Sequence, residues 1–235
     1  MDARRRTPLG LFFEQCRLNF QATGAVLPSS RALARAITAH ISPGDAPRRI
    51  LEAGPGTGVF TEEIARRMGP FDHLDLYEIN PVFADFLEAR LLEDPSFSAI
   101  EGRVVLHRRS AADLPADVVY DRIVSGLPLN NFEPQDVKAI LGTFMSRLAP
   151  GGVLSYFEYV LIRTLKQVVA SQRERLRLRG VGEVTGEYIS RFETGCEPVL
   201  LNLPPAVARH LLKPVSHAVT NAAAAHTFRP APVVQ

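Results

Sequence analysis

The sequence predicts an α/β chain organised on a doubly wound, mostly parallel sheet. Three observations carry that expectation. Short apolar runs alternate with stretches of helical period from about residue 46 to residue 160. The first run, Arg49-Ile50-Leu51, enters a glycine turn, Glu52-Ala53-Gly54-Pro55-Gly56-Thr57-Gly58, which opens into a helical segment ending at Arg67. The second run, His73 to Tyr77, ends on an acid, Glu78, which lies 20 residues after Gly58. Strand, glycine turn and helix form a layout in which backbone approaches a nucleotide, and an acid at that distance accepts the hydroxyl protons of a ribose.

Taken in order, residues 1–45 read as an N-terminal helical extension. Arg4-Arg5-Arg6 precede an aromatic-rich stretch in which Phe12, Cys16 and Phe20 share one helical face. Two readings of this amphipathic element stand: contact with an anionic membrane surface, or packing on the chain's own core. Pro28-Ser29-Ser30 forms a turn and helix cap, and Leu33, Ala34, Ile37 and Ile41 continue at helical spacing. Residues 46–213 make the main domain. After the glycine turn and the second strand, Asn80-Pro81 caps a helix through Phe83, Phe86, Leu87 and Leu91. Val104 to His107 is a third strand. Asp121 to Ser125 is a fourth, followed by the loop Gly126-Leu127-Pro128-Leu129-Asn130-Asn131-Phe132 at the ligand-binding edge of such sheets. Val137 to Leu148 is an amphipathic helix, and Val153 to Val160 a fifth strand.

Beyond the fifth strand the alternation changes. Residues from Ile162 to about 180 form a basic helical insertion, with Arg163, Lys166, Arg173, Arg175, Arg177 and Arg179 against Glu174. It reads either as a surface for anionic lipid or nucleic acid or as a solvated face. Glu197 to Leu203 and Ala206 to Leu212 read as two further strands, making seven. Residues 214–235 have the composition of a disordered tail.

Composition narrows the function classes. The formal charge is +2, so a nucleic-acid partner would require a local basic patch. Cys16 and Cys196 are too far apart in sequence for metal-ligand spacing, and no metal is expected. No apolar run approaches the roughly 20 residues that span a bilayer. The N-terminal apolar part is broken by Glu14, Gln15 and Arg17, unlike a signal peptide, so a cytoplasmic setting is expected.

The acid inside the turn, Glu52, discriminates among ligands. A carboxylate there would oppose a pyrophosphate but suits an amine-bearing ligand. With Gly54, Gly56, Gly58 and Glu78, it gives the chain a pattern that resembles the class I S-adenosylmethionine-dependent methyltransferases. The stretches Gly24 to Ala34, Leu51 to Thr61, Ser125 to Leu129 and Asn202 to Ala206 resemble, more closely, the soluble bacterial phospholipid N-methyltransferases; rRNA adenine dimethylases are more distant relatives. The resemblance implies a seven-stranded Rossmann-like methyltransferase sheet. It implies S-adenosylmethionine held by Glu52, Gly54, Gly56, Thr57, Gly58, Glu78, Ile79, Ser110, Ala111, Ser125, Gly126 and Leu127, with Glu52 near the methionine amino group and Glu78 on the ribose.

It also implies transfer to the headgroup amine of a membrane lipid, foremost phosphatidylethanolamine, by an enzyme peripheral to the inner face of the cytoplasmic membrane. Ornithine lipid, rRNA adenine and a non-catalytic S-adenosylmethionine-binding module are the alternatives, and RNA is the less expected partner. Tyr159, Glu158 and Asn131 are the expected catalytic residues, orienting the amine; Arg31 and Asn130 are expected at the headgroup. Two departures from the family pattern stand out: Ser110 replaces the acid that would hold the adenine amino group, and Glu158 is new beside Tyr159.

Overall fold

A single seven-stranded sheet runs through the computed structural model, which describes residues 30–159 and 171–215. Its strands are β1 (Arg49–Ala53), β2 (His73–Tyr77), β3 (Val104–His107), β4 (Tyr120–Ser125), β5 (Leu148–Tyr159), β6 (Glu193–Val199) and β7 (Ala206–Leu212). The spatial order is β3-β2-β1-β4-β5-β7-β6. Strands β1 to β5 pair in parallel, and β7 is antiparallel to both β5 and β6. Chain order reverses between β1 and β4, which makes their carboxyl ends the topological switch point.

The alternation of side chains along each strand sorts the core into two layers. On one face, Ile50, Leu74, Leu76, Val124 and Phe157 meet Leu33 and Ile37 of helix α1 (Arg31–Ile37) and Phe60 and Ile64 of α2 (Val59–Arg67), with Leu87 of α3 (Pro81–Glu93). On the other, Leu51, Tyr120, Ile123, Leu154 and Tyr156 meet Val137, Ile140 and Phe144 of α4 (Pro134–Arg147) and Val181 of α5 (Gln172–Phe192).

Helix signals in the sequence hold where a side chain caps the end. The Ser30 hydroxyl accepts from the Leu33 N–H at 3.1 Å and starts α1; Asn80 accepts from the Val82 N–H at 3.0 Å and starts α3. Helix α1 closes at Ile37, short of the expected Ile41. The Thr38 hydroxyl donates to the Ala34 carbonyl at 2.7 Å, and Pro43 turns the preceding residue away from helical space.

Two boundaries differ more. The helix expected over 162–180 is described only from Gln172, and it runs on to Phe192. Leu178, Val181 and Thr185 are buried at three- and four-residue spacing, and Val184, Tyr188 and Phe192 pack on the core behind α4. Helix α5 is therefore a layer of the fold, with Arg173, Arg175 and Arg179 on its exposed side and Arg177 bound to the Phe132 carbonyl. The sixth strand lies at Glu193–Val199, not 197–203, and Leu200 to Leu203 form a loop. Asn202 is the cause: its Oδ1 accepts from the Ser30 N–H at 2.9 Å and its Nδ2 donates to the Pro204 carbonyl at 2.8 Å, so the segment turns instead of pairing. The expected N-terminal amphipathic helix, the first part of the basic insertion and the expected tail lie outside the described residues, apart from its start at 214–215.

Candidate functional site

The glycine turn is fixed at the switch point by the strands around it. The Gly54 N–H donates to the Tyr77 carbonyl at 2.9 Å, and the Gly126 N–H to the Ala53 carbonyl at 2.8 Å. The ends of β1, β2 and β4 are thereby tied together. Gly126 sits so close that a Cβ there would lie 2.4 Å from the Gly54 carbonyl oxygen. At Gly56 the backbone has φ +55°, and a Cβ would meet nothing within 4 Å. This residue therefore presents bare backbone to an open face, the condition for close approach by a ligand. Helix α2 follows, with Gly58 at its N-cap and Thr57 one position before it.

Glu52 is fully buried below this turn on the α2 side of the sheet. The Thr61 hydroxyl of α2 donates to its Oε2 at 2.7 Å. Its Oε1 is buried with no hydrogen-bond partner among the described residues. Burial pushes the carboxyl up to about 8; the Thr61 hydrogen bond opposes this and the neighbouring Glu78 adds to it. An orphan acceptor at this depth fits a cationic donor such as an ammonium group.

Glu78 closes the turn from the end of β2. Its Oε2 accepts from the Gly56 N–H at 3.0 Å and its Oε1 from the Asn80 N–H at 2.7 Å. Burial raises its carboxyl, and these backbone donors pull it back down. Each oxygen keeps a further lone pair for a hydroxyl. Ser110 is buried, and its hydroxyl accepts from the Ala112 N–H at 3.0 Å, capping a short 3-10 turn at Ala111–Asp113. It is thus a turn former that retains its own proton and one acceptor site. Ala111 is buried in the α4 layer and Ile79 packs against it. Ser125 is buried at the end of β4, and its hydroxyl accepts from the Leu127 N–H at 3.4 Å.

Beyond the end of β4, the 3-10 turn Leu129–Asn131 buries Asn130 and exposes Asn131. Glu158 and Tyr159, adjacent in sequence, face opposite layers. Tyr159 lies edge-on to Phe157 at 5.1 Å on the α1 and α2 side, where burial raises its phenol and keeps it neutral. Glu158 lies on the α4 and α5 side, shared with Tyr156. It has a partner: the Arg209 Nε donates to Glu158 Oε2 at 3.1 Å, and Arg209 Nη1 to Glu193 Oε1 at 2.6 Å. The Tyr156 hydroxyl, close by on β5, is buried without a hydrogen-bond partner among the described residues. Arg31 opens α1 and is exposed. The structure thus gathers Glu52, Gly54, Gly56, Gly58, Glu78, Ser125, Gly126 and Leu127 at one switch point, and separates Tyr159 from Glu158 across the sheet.

Thr61 contacts Glu52, Arg209 contacts Glu158, and Glu193 shares Arg209 with it; the sequence reading assigned none of the three a role. Thr61 ends the family-like stretch Leu51 to Thr61, but nothing in the sequence marks its hydroxyl as the partner of Glu52. Arg209 and Glu193 become neighbours of Glu158 only through the antiparallel pairing of β7 with β5 and β6.

Comparison with known proteins agrees with this arrangement. A family described as a methyltransferase domain matches residues 50–152. An ornithine lipid N-methyltransferase from Singulisphaera acidiphila is 30% identical over 152 residues, which cover 63% of this chain and 73% of that protein. Among solved structures, the O-methyltransferase TomG from Streptomyces achromogenes, in complex with S-adenosylmethionine, aligns with a TM-score of 0.57 at 17% identity, covering 91% of this chain and 99% of that one. The N-methyltransferase NodS from Bradyrhizobium japonicum aligns with a TM-score of 0.53 at 15% identity, covering 87% and 97%. At such identities the solved structures establish the fold alone.

Proposed function

Because the chain belongs to the class I S-adenosylmethionine-dependent methyltransferases, we propose that it methylates the headgroup amine of a membrane lipid, with ornithine lipid as the favoured substrate. The observation that carries the cofactor end is the orphan Oε1 of buried Glu52 beneath an open Gly56. S-adenosylmethionine, when bound, supplies a methyl group already activated by its sulfonium. Glu52 would hold its amino group, the backbone at Gly56 would approach it directly, and Glu78 would take the ribose hydroxyls. Ile79, Ala111 and Leu127 would supply apolar surface, with Ser110 and Ser125 as polar contacts.

For the amine, the chain's task is to bind it without its proton and orient its lone pair. Asn130, Asn131 and Tyr159 would do so with neutral hydrogen-bonding groups around the β4 and β5 ends. Glu158 would contribute charge. It shares one guanidinium with Glu193, so within this cluster two carboxylates face one cation. Such a balance favours the amine end of a headgroup over its anionic part. Both lipids are zwitterionic: ornithine lipid pairs its amine with a carboxylate, and phosphatidylethanolamine, the foremost expectation from the sequence motifs, pairs it with a phosphate, so either anion requires a cation such as Arg31. The relative from Singulisphaera acidiphila is what favours ornithine lipid. A lipid substrate would put the enzyme at the membrane surface, and we propose the cytoplasmic side; no helix among the described residues is long and apolar enough to cross a membrane.

The test is methyl transfer from labelled S-adenosylmethionine, offered separately with vesicles containing ornithine lipid, vesicles containing phosphatidylethanolamine, and rRNA. Label in ornithine lipid is the expected result. Label in RNA alone would overturn the lipid reading, and cofactor binding without transfer to any amine would reduce the protein to a binding module.

A further inference from the structure

Three leucines stand out from the end of the molecule where the site lies. Leu200, Leu201 and Leu203 are 78%, 87% and 72% exposed, in the loop between β6 and β7. That loop leaves β6 at Val199 and enters β7 at Ala206, which pairs with Tyr159 at the carboxyl end of β5. The leucines therefore project from the same edge of the sheet as the glycine turn and the β4 loop, on the substrate side. Elsewhere Phe71 and Leu92 are single, and Val82 and Phe86 make a pair on α3. A single exposed apolar side chain is ordinary; the three loop leucines are the largest such group in sequence among the described residues.

The leucines are held outward by a built loop. Asn202, between them, is buried and is tied to the Ser30 N–H and to the Pro204 carbonyl. The one polar residue of the four points in and the three apolar residues point out, the reverse of a solvent loop. Cations share this edge. Arg31 is exposed one residue from the anchored Ser30. Arg173 is exposed in the first turn of α5, whose Arg177 binds the Phe132 carbonyl just beyond the β4 loop.

We infer that the β6–β7 loop is the membrane-docking element, inserting Leu200, Leu201 and Leu203 among the acyl chains of an anionic lipid surface while Arg31 and Arg173 meet its headgroups. Apolar side chains flanked by cations match the two layers of such an interface. Docked in this way, the chain holds its β4 and β5 ends against the plane in which lipid headgroups lie. This inference rests on the lipid-amine reading above.

The chain contains no tryptophan, so a Leu201→Trp variant carries a single reporter. With vesicles of equal parts phosphatidylcholine and phosphatidylglycerol, its emission shifts to the blue and is quenched when the phosphatidylcholine is brominated in its tails. The same substitution at Leu92, 83% exposed on α3, gives no shift. Replacing all three loop leucines by serine weakens vesicle co-sedimentation by about tenfold or more, with S-adenosylmethionine affinity retained as the check on folding. Three outcomes overturn the inference: Leu201→Trp emission unmoved while the protein still sediments with vesicles; emission already blue-shifted in the free protein, which marks the leucines as covered within the chain or by a second copy; or a shift produced by RNA and not by vesicles. The two readings fail separately. Insertion without methyl transfer to any lipid upholds the docking surface and sinks the lipid substrate, whereas transfer to ornithine lipid in vesicles with the indole still in water does the opposite.

Discussion

Thr61 gives its hydroxyl proton to one oxygen of Glu52 and leaves the other, Oε1, buried with no partner among the described residues. This asymmetry has a consequence in pH. Burial holds the Glu52 carboxyl up to about 8, so the free protein keeps it protonated at neutral pH. An ammonium group placed against it favours the ionised form, so the proton must leave on binding. S-adenosylmethionine affinity should rise with pH, by up to about tenfold per unit below pH 8, and fall again where the cofactor's own amine loses its proton. Calorimetry in buffers of different ionisation enthalpy should register release of a proton. Glu52→Gln should weaken binding and abolish that release. The stability of the free protein has the opposite slope: a carboxyl raised on folding contributes stability below its unfolded value near 4.5, and that contribution is lost as pH rises toward 8. A pH-independent affinity would remove Glu52 from the amino group.

Gly56 and Gly126 answer differently to the same methyl group. Alanine at Gly56 meets open space and bears only the cost of φ +55°, about 1–2 kcal/mol of stability. Its effect should appear mainly in cofactor affinity, because the added methyl stands where bare backbone faced the ligand. Alanine at Gly126 puts a carbon 2.4 Å from the Gly54 carbonyl, and neither backbone is free to yield. That substitution should cost about 1–3 kcal/mol or more. Urea denaturation and cofactor titration of both variants separate the two effects.

The clustering of the residues proposed to hold the cofactor was legible because they are local. Glu52, the three turn glycines and Glu78 lie in one strand–turn–helix–strand unit, and the spacing that holds them together in sequence also holds them together in space. The substrate half was not. Glu158 and Tyr159 are neighbours in sequence, yet β5 sends them to opposite layers, while Arg209 reaches Glu158 from 51 positions away. Leu200 to Leu203 read as strand because apolarity suggests burial, and only the inward turn of Asn202 reveals otherwise. Helix α5 read as a basic run because its buried stripe begins at Leu178, where the charges thin out.

Ser30 and Asn202 close the fold at that same edge. Asn202→Ala leaves the Ser30 N–H without its acceptor and frees the Pro204 carbonyl, and should cost about 1–3 kcal/mol. Asn202→Asp keeps the acceptor but sets a buried carboxylate against the Pro204 carbonyl, so at neutral pH it should be at least as unstable as Asn202→Ala. Thermal unfolding ranks the three. Equal melting temperatures for Asn202→Ala and the native protein would show that the loop is held by other means.

Arg209 and Glu158 test the substrate end, where stability and activity should divide. Arg209→Gln leaves Glu158 buried with no countercharge and also releases Glu193, so it should destabilise by about 3 kcal/mol. Glu158→Gln leaves Arg209 still paired with Glu193 and should cost about 1 kcal/mol. In activity the order should reverse. If Glu158 meets the headgroup amine, Glu158→Gln lowers kcat/KM for ornithine lipid by about tenfold or more, while Arg209→Lys, which keeps the charge and the Glu158 contact, retains most of it. An unchanged kcat/KM in Glu158→Gln would mean that this carboxylate serves the β5–β7 pairing alone.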